Sequence, residues 1–180
     1  METKTRLLAA AEQLFDLNGF TATGMDRLTQ AAGMSTRTLY KHAGSKTDLM
    51  AAVLAERDLR FMRTFQGLES VDGIFAALET WVREEGARGC LFLRAFGETG
   101  GNIPEVRAAV LAHKETFRKR LTEILVTELG EAASAHLTEE ILVLYEGATA
   151  ASVYRGPAAV AAARRAAAIL VADADAGQRP

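Results

Sequence analysis

Seven side chains suited to meeting a polyanion and its bases fall between residues 36 and 46: Thr36, Arg37, Thr38, Tyr40, Lys41, His42 and Lys46. A guanidinium can pair with guanine O6 and N7 together, and a threonine can touch a base edge or a thymine methyl. Tyrosine and lysine suit phosphate oxygens, which fix register without carrying sequence information. On a helix, Leu39 and Ala43 lie four apart on one face, while Arg37, Thr38, Tyr40, Lys41 and His42 lie off it. One side is anchored and the other is polar, so this chemistry is recognition rather than bond-making.

Such side chains need a scaffold, and the stretch from Thr23 to Asp48, TGMDRLTQAAGMSTRTLYKHAGSKTD, reads as two short helices around a tight glycine turn. Thr23 is expected to cap the first, whose Met25, Leu28, Ala31 and Ala32 follow at helical spacing. Gly33 supplies the positive φ that ends it. Ser35 caps the second helix, Gly44 and Ser45 break it, and Lys46 opens a longer one. Thr23 and Ser35 thereby sit at helix N-termini, where free amides and hydroxyls suit a phosphate. Two short helices about a glycine turn have the form of a helix-turn-helix, whose second helix enters the DNA major groove.

The run AGMSTRTLYKH (32–42), followed by GSKTDL (44–49), resembles the signature of TetR-type transcriptional regulators, and so does the upstream LFDLNGFTAT (14–23). The resemblance covers about the first 50 residues; beyond residue 55 it is one of length and helical layout. It implies base readout by Arg37 and Thr38, and phosphate contacts from Tyr40, Lys41 and Lys46. Thr36 and His42 join the contacting set, with Thr23 and Ser35 at the helix N-termini. The alternative for all of these residues is a solvated polar face with capping residues. The sequence departs from the family pattern at Ala43, where an aromatic residue is usual, which bears on the packing beneath the second helix.

A chain of 180 residues can bury a full core. Few prolines and no long period-two run of β-branched residues point to an all-α fold. No apolar run of membrane-spanning length occurs and the N-terminus lacks a hydrophobic signal core, so the expected location is cytoplasmic. The single cysteine, Cys90, cannot form an internal disulfide, and the histidines at 42, 113 and 136 have no metal-ligand spacing, so neither metal nor cofactor is expected. The formal charge of −2 argues against nucleic acid, but residues 1–48 carry six basic and five acidic side chains and so are net +1. Phosphate affinity follows the local field, not the whole-chain sum.

Taken in order, residues 3–18 form a helix with Leu7, Leu8, Ala11, Leu14 and Phe15 on one stripe. It is expected to pack on the helix-turn-helix as the third helix of one domain, with Phe20 tucked under its end and with Lys4 and Arg6 near a flanking phosphate. Lys46 to about Gln66 predicts a rod of roughly 30 Å. A further helix is marked from Val71 to about Glu85, and an apolar block follows from Cys90 to Phe96. By composition Gly97–Pro104 is a loop. A helix then runs from Pro104 to about Leu129, and Gly130–His136 is a connection. Thr138 caps a helix ending near Arg155, and Pro157 starts an alanine-rich helix to about Ala172, before a polar tail.

The last two helices, about 138–154 and 157–172, expose more apolar surface than one core needs. They are read as half of an intermolecular four-helix bundle in a twofold homodimer, the alternative being closure of a monomer core. By resemblance, Trp81, Phe92, Phe96, His113, Phe117 and Tyr145 surround a cavity for a small apolar ligand; equally, aromatics at this spacing form plain core. No catalytic grouping has a recognisable context, so an enzyme is not expected. The resulting expectation is a three-helix DNA-binding domain over residues 1–48 and a helical ligand-binding and dimerisation domain over 49–180. Together they would form a ligand-responsive repressor of a roughly palindromic operator in double-stranded DNA. The alternative is a helical ligand-binding or scaffold protein without specific DNA binding.

Overall fold

The stripe of Leu7, Ala11 and Phe15 is buried, and it belongs to α1 (Glu2–Asn18). The computed structural model describes residues 2–177, the side chains of Glu2 and Ala133 excepted, and among these residues it contains nine helices and no strand. The others are α2 (Met25–Ala32), α3 (Thr36–Ala43), α4 (Lys46–Arg63), α5 (Val71–Glu85), α6 (Leu91–Thr99), α7 (Pro104–Leu129), α8 (Glu131–Arg155) and α9 (Pro157–Gly177). An all-α fold is what the scarcity of strand-forming runs predicts.

The chain folds as two compact units. The first holds the chain up to Arg60 together with Leu91–His113, and the second holds Phe61–Cys90 together with the chain from Lys114 onward. The division expected between residues 48 and 49 therefore falls inside the first unit, which gathers α1 to α3, most of α4, α6 and the start of α7. In the second unit α5, α8 and α9 pack on one another. Its core is built from Ile74, Phe75 and Leu78 of α5, Phe117 and Leu121 of α7, Ile141 and Tyr145 of α8, and Val160 and Ala167 of α9. Burying a side chain such as Phe75 or Leu78 contributes about 1.5–3 kcal/mol each. The alanines of α9 let its backbone approach closely.

Several helix ends differ from expectation, each for a local reason. The rod opened by Lys46 ends at Arg63 rather than near Gln66, because the N–H groups of Thr64, Phe65 and Gln66 bond three residues back and tighten the last turn. Gly97 to Thr99 are helical, not loop. Their helix closes only where Gly101 N–H reaches the Phe96 carbonyl and Gly100 N–H the Gly97 carbonyl. The expected connection 130–136 is the first part of α8, whose alanines favour helix. Thr138 is therefore no cap: it lies inside α8 and its hydroxyl donates to the Ser134 carbonyl at 2.8 Å. α9 continues five residues past Ala172 to Gly177, and the remainder of the expected tail lies outside the described residues.

Candidate nucleic-acid interface

The turn between α2 and α3 is built by its own backbone. Gly33 adopts φ 59°, ψ 44°, with its N–H on the Gln30 carbonyl at 3.2 Å and the Met34 N–H on the Thr29 carbonyl at 3.1 Å. This paired closure needs a left-handed residue, which glycine adopts without a Cβ clash. Two residues later Ser35 caps α3 as expected: its Oγ accepts the Thr38 N–H at 3.2 Å and lies 2.9 Å from the Thr38 hydroxyl.

Leu39 and Ala43 anchor α3 from below, at 0% and 8% exposure. An alanine thus suffices to bury this position. On the opposite side Thr36, Arg37, Tyr40, Lys41 and His42 are exposed and Thr38 is half-buried. The members of the expected contact set that lie on α3, Thr36, Arg37, Thr38, Tyr40, Lys41 and His42, are thus all off the buried stripe of Leu39 and Ala43. Lys4 of α1 and His42 of α3 line a single cleft of ≈ 550 Å³, so an α1 cation stands beside that face.

Two members of the set are engaged elsewhere. Thr23 is not the cap of α2; that position is Gly24, which makes no side-chain cap bond. Thr23 is fully buried and its hydroxyl donates to the Gly19 carbonyl at 2.7 Å, so it holds the α1–α2 corner and is withdrawn from the phosphate contacts. Lys46 stands with its Nζ 4.5 Å from the centre of the Phe20 ring and donates to the Thr21 carbonyl at 3.3 Å. Burial lowers the pKa of this amine below the usual lysine range, and the Glu98 carboxylate partly offsets that shift. Phe20 packs on Phe15 at 5.7 Å, as expected of a residue tucked under the end of α1.

The corner that carries α2 and α3 is clamped by residues that sequence reasoning missed. Arg94 of α6 donates to the carbonyl of Asp16 at 2.9 Å and approaches its carboxylate at 3.3 Å. One turn further along α6, Glu98 accepts the Thr21 N–H at 2.8 Å. Beneath them α1 is tied to α4: Glu12 Oε1 lies 2.7 Å from Arg57 Nη1 and 2.6 Å from Arg60 Nη2. Burial raises the Glu12 pKa, but the hydrogen bonds from Arg60 and then Arg57 outweigh it and hold the carboxyl below its ordinary value. The i, i+4 spacing of Arg94 and Glu98 was a visible signal, but it straddled the assumed end of an apolar block.

The six residues expected around a ligand cavity fall three in each unit. Phe92, Phe96 and His113 belong to the first, where the His113 ring stacks on Phe92 at 3.7 Å and its Nδ1 lies 2.6 Å from Asp58 Oδ1. Those contacts commit Phe92 and His113 to joining α6, α7 and α4. Trp81, Phe117 and Tyr145 belong to the second unit, where Phe117 and Tyr145 are 4.6 Å apart and Trp81 meets Phe61 edge-on at 5.4 Å. Among the described residues no group of three or more His, Cys, Asp or Glu could hold a metal ion, and no helix is long and apolar enough to cross a membrane.

An exposed polar helix, anchored by a buried leucine and a buried alanine and carried after a glycine turn, defines a helix-turn-helix DNA-binding protein. Comparison with known proteins agrees. The family profile "Bacterial regulatory proteins, tetR family" matches residues 7–53, and "Tetracyclin repressor-like, C-terminal domain" matches residues 67–167. The chain belongs to the TetR family, whose members are DNA-binding transcriptional regulators and not enzymes. It is 31% identical over 134 residues to the HTH-type transcriptional regulator UidR of Escherichia coli, a match spanning 72% of this chain and 66% of UidR, about two thirds of that protein's length. A match to the HTH-type transcriptional activator FasR of Mycolicibacterium smegmatis, 43% identical, covers 53 residues, 29% of this chain and 24% of FasR. Among solved structures, a TetR-family transcriptional regulator from Streptomyces coelicolor superposes with a TM-score of 0.84 at 29% identity, covering 97% of this chain and 96% of that one.

Proposed function

We propose that this regulator is a ligand-responsive repressor that acts in the cytoplasm and binds a roughly palindromic operator as a homodimer. The observation that carries the DNA reading is the shared exposure of Thr36, Arg37, Tyr40, Lys41 and His42 above a buried Leu39 and Ala43. In this reading Arg37 and Thr38 read base edges, Tyr40, Lys41 and the Ser35 end of α3 hold phosphates, and Lys46 does so with the N–H groups that its bond to the Thr21 carbonyl leaves over. One such helix spans a single half-site, and two copies space their reading helices about 34–36 Å apart.

Dimerisation is assigned to α8 and α9. Val143 and Tyr154 of α8 are 68% and 78% exposed and Ile169 of α9 is 71% exposed, which is apolar surface that a second copy would cover. Repression is supported by the match of residues 67–167 to the tetracycline-repressor-like domain. A small apolar effector is assigned to the aromatic cluster of the second unit, at Trp81, Phe117 and Tyr145.

The test is a titration of a fragment from the promoter region of the chain's own gene against random DNA at fixed salt. Specific binding at least tenfold tighter supports the reading, and equal affinity for both sinks it. A reporter behind the bound fragment then gives the sign, since repression requires higher expression when the regulator is deleted.

A further inference from the structure

Among the described residues, one buried side-chain polar atom has no hydrogen-bond partner: the hydroxyl of Tyr145. Its neighbours on α8 show how unusual that is. Ser134, Thr138, Thr149 and Ser152 all return their hydroxyls to carbonyls of the same helix, at 2.8 to 2.9 Å. A serine or threonine can reach back along its helix in this way, but the long ring of tyrosine carries its hydroxyl too far out to do so. Phenylalanine would fill the same space and leave no polar group desolvated.

Around this ring the second unit supplies aromatic walls. Phe117, Phe75, Phe65 and Phe61 lie 4.6, 6.1, 6.3 and 6.4 Å from it between ring centres. Trp81, half-buried, stands edge-on to Phe61. Toward solvent is a charged rim: Lys114 lies 2.6 Å from Glu146 and 3.5 Å from the Cys90 thiol, with Lys114 and Glu146 each about a quarter exposed. Burial, then the charges at Glu146 and Cys90, push the phenol well above its ordinary pKa, so it stays protonated and able to donate.

We infer that the Tyr145 hydroxyl is the polar recognition point of the effector site, and that the effector is a neutral, largely aromatic molecule with one hydrogen-bond acceptor such as a ketone or ester oxygen. The aromatic walls take the apolar body. Lys114 and Glu146 already neutralise one another at 2.6 Å, so the rim offers no unmatched charge to an ionised head, and a neutral acceptor is the class that costs least to desolvate. This inference rests on the ligand-responsive reading for its regulatory meaning, and concerns the same site.

The experiment compares the full chain with Tyr145→Phe, using the fluorescence of Trp81, the one tryptophan in the sequence. The probes are acetophenone (neutral, with an acceptor), ethylbenzene (no acceptor) and benzoate (anionic). Without probe, Tyr145→Phe is expected to melt at the same temperature as the parent or roughly 2–4 °C higher. Acetophenone is expected to bind the parent at least tenfold more tightly than either other probe, and Tyr145→Phe is expected to lose that advantage while keeping its ethylbenzene affinity. A lower melting temperature for Tyr145→Phe would overturn the inference, because the hydroxyl would then have an internal partner or an ordered water only. So would equal binding of acetophenone and ethylbenzene, preference for benzoate, or no binding of any probe. Tyr145-dependent binding that leaves DNA affinity unchanged would instead sink the ligand-responsive reading and leave the recognition point standing.

Discussion

The Glu98 carboxylate accepts the backbone N–H of Thr21 at 2.8 Å, although the two residues are 77 positions apart in sequence. The corner it holds is the one from which α2 and α3 depart. The approach is close on both sides: a Cβ at Gly19, whose φ is +85°, would stand 2.7 Å from Glu98 Oε1. From α4, Lys46 grips the carbonyl of the same Thr21. The segment that leads into α2 and α3 is therefore held by an acid outside the proposed DNA-contact set.

Removing that acid should separate geometry from charge. Glu98→Ala loses the bond and is expected to weaken operator binding by ~0.5–1.5 kcal/mol, roughly two- to tenfold. Glu98→Gln keeps an accepting oxygen and removes a negative charge from the DNA-binding unit, so its affinity should equal or exceed that of the parent. Fluorescence anisotropy on one operator fragment checks both, and equal weakening by Ala and Gln would show that charge, not the hydrogen bond, is what matters.

On α3, Arg37→Ala is expected to cost about 1–3 kcal/mol and to relax preference at one base pair. Lys41→Ala, at an exposed position of the same helix, should lower affinity for every sequence and reduce the slope of log affinity against log salt by about one. Binding to specific and random fragments at three salt concentrations distinguishes them. If Arg37→Ala weakened both fragments equally, base readout would have to be reassigned.

Acid should loosen the first unit through Glu12. Its folded pKa lies below the ordinary 4.5 because hydrogen bonds from Arg60 and Arg57 outweigh burial. The stabilisation from pairing is therefore fully present above about that value and is lost as pH falls through the lower, folded pKa. Glu12→Gln is expected to cost ~3 kcal/mol near neutral pH, since it removes the carboxylate charge that faces both Arg57 and Arg60. Urea unfolding between pH 7 and pH 3 should show that difference shrinking on acidification; a difference independent of pH would exclude the charge pair as its source.

Ile169→Glu on α9 and Tyr154→Glu on α8 place charges on surface assigned to a second copy. Each is expected to shift the protein from dimer to monomer in light scattering and to reduce operator affinity at least tenfold, with the melting of the isolated chain little changed because both side chains are exposed. Retention of a dimer by both variants would move the interface elsewhere.

By itself the sequence determined whatever depends on residues within about four positions of one another. Ser35 as the cap of α3, Gly33 as its preceding turn, Pro104 and Pro157 as the first residues of α7 and α9, and the opposition of Arg37 and Lys41 to Leu39 and Ala43 are all local, and all stand. Two expected helix caps, Thr23 and Thr138, gave way. Thr23 could cap a helix or bury its hydroxyl against Gly19, and packing of the corner took the second. Thr138 could start a helix or lie within one, and the alanines before it continued α8 backward. The i, i+4 spacing of Arg94 and Glu98 named no partner for their clamp, and the pairing of His113 with Asp58 and the unpartnered hydroxyl of Tyr145 left no periodic trace. They join or isolate groups whose proximity arises only when helices distant in sequence pack side by side, and no spacing along the chain encodes that distance.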